Sequence, residues 1–153
     1  MTILNIFDPE TTKSLTERIN KLTAKTTPLW GKMNVGQMLA HCSIAYEQAY
    51  DPNTKRPPLP VRFLLKLFLK GKLTDTTTPY QKNSGTAPAF IIKDTRDFEK
   101  EKTIILEYIQ RTEKLGAAYF ANKESTSFGK MTADEWNNLF YKHLDHHLTQ
   151  FGV

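Results

Sequence analysis

The sequence predicts an all-α domain in which amphipathic helices pack as a bundle. Apolar residues recur at three- and four-residue steps in four segments, and helix-capping residues precede them. No segment alternates apolar and polar residues well enough to predict a strand. The length of 153 residues and the 39% hydrophobic content fit one domain, 1–153, with a core of its own.

The first predicted helix begins at Asp8 and Pro9, because Asp is a favoured N-cap and Pro is favoured at the first helical position. Its apolar stripe consists of Leu15, Ile19 and Leu22. We expect the helix to end near Lys25, ahead of Thr-Thr-Pro. A short link around residues 28–32 should then make the first two helices antiparallel neighbours.

The second predicted helix opens with a capping pair, in which the Asn34 side chain caps the helix and Gln37 reaches back. Asp51 and Pro52 stop it, because proline cannot continue a helix. Its apolar stripe consists of Met38, Leu39, Cys42, Ala45, Tyr46 and Ala49.

Two further helices are predicted in the C-terminal half of the chain. The third runs from about Asp94 to Leu115, with Gly116 as its expected C-terminal cap. The fourth begins with a capping box formed by Thr132 and Glu135. Its apolar stripe consists of Trp136, Leu139, Phe140, Leu144, Leu148 and Phe151.

More than forty residues separate the second and third helices, and they must form a long crossover. Within it, segment 60–72 is a basic amphipathic helix with one apolar and one cationic face. The two faces consist of Val61, Leu64, Leu65 and Phe68, and of Arg62, Lys66 and Lys70. Such a helix can bind an anionic membrane or a partner, but inside a compact domain it more often covers the core, so no membrane contact is expected. Residues 74–90 lack any period, which is typical of a lid or pocket wall.

Composition limits the classes of function. The net charge of +5 comes from lysines and arginines that are interleaved with acidic residues, so no nucleic-acid partner is expected. The N-terminus lacks the pattern of a secretory signal, and no stretch has the ~20 apolar residues of a membrane span. The single cysteine, Cys42, fits a reducing compartment. Cytoplasmic residence is therefore expected.

The four histidines fall in two places, His41 in the second helix and His143, His146 and His147 in the fourth. Histidines at i and i+4 lie on one side of a helix about 6 Å apart along its axis, a spacing that two ligands of one metal ion can use. On a helical wheel His147 lies in the middle of the apolar stripe, His143 on its shoulder and His146 further out. His143 and His147 are therefore the predicted pair. His41, at the rim of its own stripe, is the candidate third ligand.

Simpler explanations compete with a metal site. A histidine on an apolar face is more often a hydrogen-bonded core residue, and an i,i+4 pair can arise by chance on a polar helix. Cys42 could replace a histidine as ligand, but its place on the apolar stripe favours a packed thiol. Gln150 could orient a ligand or simply cap the helix end, and His146 is expected beside the site or at the surface.

The histidine pattern resembles that of the DinB-like, damage-inducible superfamily, and more narrowly its DUF1569-type branch. The shared features are a Trp before the second helix, one His within that helix, and HxxHHxxQ in the last helix; they fall on Trp30, His41 and residues 143–150. The resemblance covers the second helix, the segment TAPAF at 86–90 and the last helix. It implies an up-up-down-down four-helix bundle in which His41, His143 and His147 hold a divalent metal ion, Zn or Ni.

The resemblance also implies a class of function. Relatives in the superfamily include transferases and isomerases that use a low-molecular-weight thiol, so one hypothesis is a metal-dependent thiol S-transferase or hydrolase acting on a small molecule. The competing hypothesis is a non-catalytic, stress-related bundle that binds a metal or a ligand. The candidates for acid, base or pocket groups are His146, Gln150, Tyr46, Glu47 and Tyr80. A homodimer is left open.

Overall fold

The computed structural model describes residues 2–153 and is mostly helical. Its helices are α1 Pro9–Asn20, α2 Val35–Tyr50, α3 Leu59–Leu65, α4 Gly71–Thr74, α5 Phe98–Phe120 and α6 Ala133–Gln150. A π-helical turn, Lys66–Lys70, joins α3 to α4, and a 3-10 turn, Pro88–Phe90, lies in the irregular part of the crossover. Two short antiparallel strands, β1 Glu124–Ser125 and β2 Gly129–Lys130, connect α5 to α6. The expectation of no strand is wrong here, because two-residue strands are too short to show alternation.

The predicted caps at the starts of α1, α2 and α6 are confirmed. The Asp8 carboxylate accepts from the backbone N–H of Glu10, and reciprocal capping boxes begin α2 and α6. The first helix ends at Asn20, several residues before the predicted end near Lys25. Thr23 and Thr26 exchange side-chain hydrogen bonds just beyond that end, which stabilise a turn in competition with the helix.

The long helix α5 begins later than predicted, and a kink at the predicted end separates two helical runs. Its N-cap is Asp97, which accepts from the Lys100 backbone N–H, so the helix begins later than Asp94. Gly116 has a φ of +68° and a non-helical backbone, so the first helical run ends at Leu115 as predicted, and a second run continues as far as Phe120. Phe120 is fully buried and packs against Phe7 and Trp136, which explains the continued helix.

The core lies where α2 packs against α5 and α6. Tyr46 of α2 stacks on Phe140 of α6 with ring centroids 4.3 Å apart. The N-terminal segment joins this core through α1, since Arg18 forms an ion pair with Asp145 at 2.7 Å. Consequently α2 and α6, the two helices that carry the histidines, lie side by side.

Segment 59–70 covers the core only in part, because neither α3 nor the π-helical turn contains a fully buried residue. Leu65, Leu69 and Leu73 pack partly against the core, while most of the other apolar side chains of the segment face solvent. Within residues 2–153 no helix combines the length and the apolar character that spanning a bilayer requires.

Candidate metal centre

Two of the clustered histidines come from α6, whose start is set by the capping box at Thr132 and Glu135. His143 and His147 stand one turn apart, so both imidazoles lie on the side of α6 that faces α2. His147 is buried and His143 is half-buried. The i,i+4 spacing in the sequence thus becomes a pair of neighbouring rings.

His41 is contributed by α2 and is only 5% exposed. The helical wheel puts His41 at the rim of the apolar stripe of its own helix, but the crossover closes over it and buries it. The ring of Phe90 lies 5.7 Å from the imidazole ring, and the Phe90 carbonyl oxygen lies 2.8 Å from Nδ1. A rim position on the isolated helix is thereby converted into a buried one.

The three imidazoles form one cluster. Ring centroids are 4.6 Å apart for His41 and His147, 4.8 Å for His41 and His143, and 4.9 Å for His143 and His147. One ring nitrogen of each lies within 4.8 Å of the other two, and the Nε2 atoms of His41 and His143 are 2.8 Å apart. A buried group of three imidazole nitrogens at this spacing could hold a metal ion.

Hydrogen bonds to the outer ring nitrogens fix the tautomers of two of these rings. A backbone carbonyl can only accept, so His41 donates to Phe90 from Nδ1 and keeps a lone pair on Nε2. The Gln150 amide nitrogen donates to the Trp30 carbonyl at 2.6 Å, so its Oε1 is the atom that accepts from His147 Nδ1 at 2.7 Å. The Nε2 atom of His147 therefore also carries a lone pair. This is the arrangement in which neighbouring groups orient metal-binding histidines.

The electrostatics of the cluster favour neutral rings. Burial lowers the pKa of His41, against the opposing effect of its hydrogen bond to Phe90. Burial, followed by the neighbouring histidines, holds the pKa of His143 well below its usual value. Burial also lowers the pKa of His147 to about 3. Neutral imidazole is the form that binds a metal ion, so metal binding at pH 7 does not require an imidazolium to lose a proton first.

His146 lies beside the cluster. Its ring is 5.0 Å from that of His147, 5.9 Å from Trp30 and 5.8 Å from Tyr80. The Nζ atom of Lys82 lies 4.3 Å above the Trp30 ring. Because the three rings are half-buried and Lys82 is exposed, these side chains lead from the cluster to the surface. We refer to Trp30, Tyr80, Lys82 and His146 as the site mouth.

The other candidates from α2 do not belong to the three-histidine group. Tyr46 is stacked between aromatic rings of the core, and its hydroxyl has no hydrogen-bond partner among residues 2–153. Cys42 is buried with Sγ 3.8 Å from Met38 Sδ, which agrees with a packed thiol, and burial raises its pKa. Glu47 lines a surface cavity together with Arg96.

Sequence reasoning missed one contributor to the site and one buried residue of α6 that is next to His143 in sequence. The contributor is the Phe90 carbonyl, because a backbone acceptor leaves no signal in the sequence. The other residue is Lys142, which is fully buried and donates to the carbonyl oxygens of Lys72 and Asp75 at 3.2 and 2.8 Å. Lys142 lies on the face of α6 away from the apolar stripe, where a lysine is normally solvated. The C-terminal end of α4 covers that face and buries it.

Comparison with known proteins gives one match. The family model described as "Protein of unknown function (DUF1569)" matches residues 7–152. No curated protein and no solved structure gives a significant match. The match spans nearly the whole chain, including both helices that carry the histidine cluster. The chain therefore belongs to the DUF1569 family.

Proposed function

We propose that His41, His143 and His147 bind a divalent metal ion, Zn or Ni, and that the chain is a metal-dependent enzyme acting on a small molecule. The observation that carries this proposal is the pair of locked tautomers, which leaves Nε2 of His41 and of His147 unprotonated in a buried cluster, with His41 Nε2 accepting from His143 Nε2 at 2.8 Å. Three neutral nitrogen donors suit Zn²⁺ and Ni²⁺ and leave room for a further ligand.

The fold proposal follows from the same features. The four long helices α1, α2, α5 and α6, with a crossover between α2 and α5, agree with the up-up-down-down four-helix bundle of the DinB-like superfamily. Its thiol-dependent members motivate a low-molecular-weight thiol as cosubstrate, with thiol S-transfer or hydrolysis as the reaction. Cytoplasmic residence remains a prediction.

Different residues would have different roles in such a site. When bound, a divalent ion would lower the pKa of a thiol or water molecule at the open position. Phe90 and Gln150 hold two imidazoles in a fixed tautomer and orientation. His146 lies beside His147 and would be the group placed to accept a proton there, since burial lowers its pKa and favours the neutral ring. Trp30 and Tyr80 provide flat apolar walls for the incoming molecule.

A non-catalytic metal- or ligand-binding bundle is the second candidate. One observation favours it: the Tyr80 hydroxyl donates to the Leu73 carbonyl at 3.0 Å, and burial raises its pKa, so it is poorly suited to act as a base. His146 is then the one ring among the site-mouth residues suited to act as a base, and catalysis depends on it. In this alternative His146 merely packs beside the cluster.

Metal content tests the first part of the proposal. Protein purified without a polyhistidine tag should contain about one Zn or Ni per chain, as measured by elemental analysis. His147→Ala should lose that metal on dialysis, whereas His146→Ala should retain most of it, because His146 is outside the three-histidine group. Equal loss in both variants would refute the assignment of ligands.

Catalysis needs a separate test. Adding a small thiol to Co²⁺-loaded protein should give a sulfur-to-metal charge-transfer band if a thiol enters the site. A hydrolase should show no such band but should turn over esters or amides, and His146→Ala should abolish that turnover without loss of metal. Absence of both the band and turnover over a broad substrate panel would favour the non-catalytic bundle.

A further inference from the structure

The outer face of segment 59–68 is an exposed apolar surface. Six large apolar side chains on it are between 44% and 76% exposed, and they make up most of the exposed large hydrophobics within residues 2–153. These residues are Leu59, Val61, Phe63, Leu64, Leu67 and Phe68. We call them the apolar face. A contiguous patch of this kind on a small domain normally marks a surface that binds something.

The segment is held in place by its inner side. Leu65, Leu69 and Leu73 pack partly against the core, and Lys70 forms an ion pair with Glu135 at 2.7 Å. The Nζ atom of Lys142 donates to the carbonyl oxygen of Lys72. These contacts fix the helical segment on the domain, so the apolar face lies on an anchored helix and not on a frayed end.

Charge indicates what covers the apolar face. Residues 52–74 contain six lysines and arginines and no aspartate or glutamate. Two of these cations have carboxylate partners, since Arg56 pairs with Glu124 and Lys70 with Glu135. Lys66 and Lys72 are exposed, and no carboxylate within residues 2–153 forms an ion pair with either. The surface therefore combines apolar side chains with unneutralised positive charge.

A second copy of the chain is a poor partner for this surface. A two-fold dimer through the apolar face would bring two equally cationic surfaces together, which electrostatic repulsion disfavours. An anionic bilayer offers the opposite charge to the lysines and a hydrocarbon boundary to the phenylalanines and leucines. At 16 residues, about 24 Å long, Leu59–Thr74 has the dimensions of a helix that lies in the plane of the interface.

We propose that segment 55–72 is a peripheral membrane-binding surface, in which the apolar face enters an anionic lipid leaflet and the flanking lysines contact its headgroups. This proposal does not depend on the metal site. It replaces the sequence-based expectation of no membrane contact, which assumed that the segment covers the core.

The direct test is vesicle flotation of the full chain. Vesicles of phosphatidylcholine mixed with phosphatidylglycerol should bind the protein, and vesicles of phosphatidylcholine alone should bind it far less. Binding should weaken as the salt concentration rises from about 0.1 M to about 1 M, because the Debye length falls from about 10 to about 3 Å. Equal binding to both vesicle types, or none to either, would overturn the proposal.

Exposed positions allow variants that leave the fold unchanged. The triple variant Phe63→Ser, Leu67→Ser, Phe68→Ser should bind anionic vesicles more than about tenfold more weakly, because three side chains no longer enter the leaflet. The matched control is Leu29→Ser, an apolar side chain that is 71% exposed outside the segment and should bind like the unmodified protein.

A double substitution of two lysines tests the electrostatic part of the membrane-binding proposal. Lys66→Gln combined with Lys72→Gln should weaken binding by about 30-fold at low salt, since each cation near an anionic surface contributes roughly fivefold. Lys25→Gln combined with Lys114→Gln removes the same charge from exposed positions elsewhere and should have a much smaller effect. Equal losses in the two charge variants would show a non-specific attraction and refute the assigned surface.

Dimerisation is the competing outcome. Sedimentation of the unmodified protein and the triple variant measures it directly. A concentration-dependent dimer that the triple substitution abolishes, together with no flotation on anionic vesicles, would assign the apolar face to a second copy and overturn the lipid proposal. A monomer that floats with anionic vesicles supports it.

Discussion

Gln150 links the histidine cluster to the loop before α2, and replacing it by leucine should weaken both metal binding and folding. The side chain is 4% exposed and makes two buried hydrogen bonds, one from His147 Nδ1 at 2.7 Å and one to the Trp30 carbonyl at 2.6 Å. Leucine leaves both partners unpaired, at about 1–3 kcal/mol each, so the free energy of unfolding should fall by about 2–6 kcal/mol. Losing the group that orients His147 should weaken metal binding about 10–100-fold.

Gln150→Glu separates the two effects. A carboxylate still accepts from His147 Nδ1, but it cannot donate to the Trp30 carbonyl and instead repels it. We therefore expect Gln150→Glu to bind metal about as well as the unmodified protein while unfolding at a lower urea concentration. Gln110→Leu, an exposed glutamine on α5, is the matched control and should change neither property.

Two measurements decide the outcome. Competition with a chromogenic chelator gives the metal affinity, and urea unfolding of metal-free protein gives the stability. If Gln150→Leu binds metal as tightly as the unmodified protein, then Gln150 does not orient a ligand. If Gln150→Glu loses as much affinity as Gln150→Leu, the hydrogen bond to His147 is not the reason for the loss.

Three further outcomes can be checked on the metal-free protein. Tyr46→Phe should raise the free energy of unfolding by about 1 kcal/mol, because it removes a buried hydroxyl that has no partner within residues 2–153; a clear decrease in melting temperature would contradict this. The lowered pKa of His147 means that the unfolded chain takes up a proton below its ordinary value of 6.5 while the folded chain does not until about 3. Stability should therefore be greatest above pH 6.5 and fall toward pH 3 by about 1.4 kcal/mol per pH unit for each such histidine, with a shallower slope in His147→Ala. Gly31→Ala should destabilise the protein by about 1–3 kcal/mol, since Gly31 has a φ of +87° and a Cβ there would collide with the Gln150 amide, whereas Gly85→Ala, with open space around it, should be neutral in the same urea titration.

The features that the sequence predicted correctly are local ones. The capping boxes at Asn34 and Thr132 each need only residues three apart, and the pairing of His143 with His147 needs only the helical period. Such patterns survive folding because the atoms that interact are already close in the chain. The same reasoning explains why the starts of α2 and α6 were predicted better than the end of α1, where threonine hydrogen bonds decide between helix and turn.

The errors share a physical cause, which is a covering segment from a distant part of the chain. The helical wheel puts His41 at a rim because the wheel shows one helix only, whereas Phe90, 49 residues away in sequence, buries it. The wheel gives no signal for Lys142, because the segment that covers its face of α6, at Lys72 and Asp75, is about 70 residues away. For segment 59–70 the error is the opposite one: burial is expected, but nothing within residues 2–153 covers its apolar face. A sequence pattern shows which side chains are apolar and tend to be buried, but not which distant segment covers them.

The crossover therefore has two roles, one at the histidine cluster and one at the exposed apolar face. Tyr80 contacts both regions. At one end its Phe90 carbonyl orients His41, and at the other the exposed apolar face projects from the domain. The Tyr80 hydroxyl donates to Leu73, the last of the inward leucines beneath that face, while its ring contacts His146 at the site mouth. A displacement of segment 59–74 on a lipid surface would thus reach the mouth through Tyr80 and through Lys142, which donates to the Lys72 carbonyl and lies 5.0 Å from the Tyr80 ring. Because Phe90 and Gln150 lie outside segment 59–74, such a displacement would alter access to the cluster while leaving the tautomers of His41 and His147 unchanged.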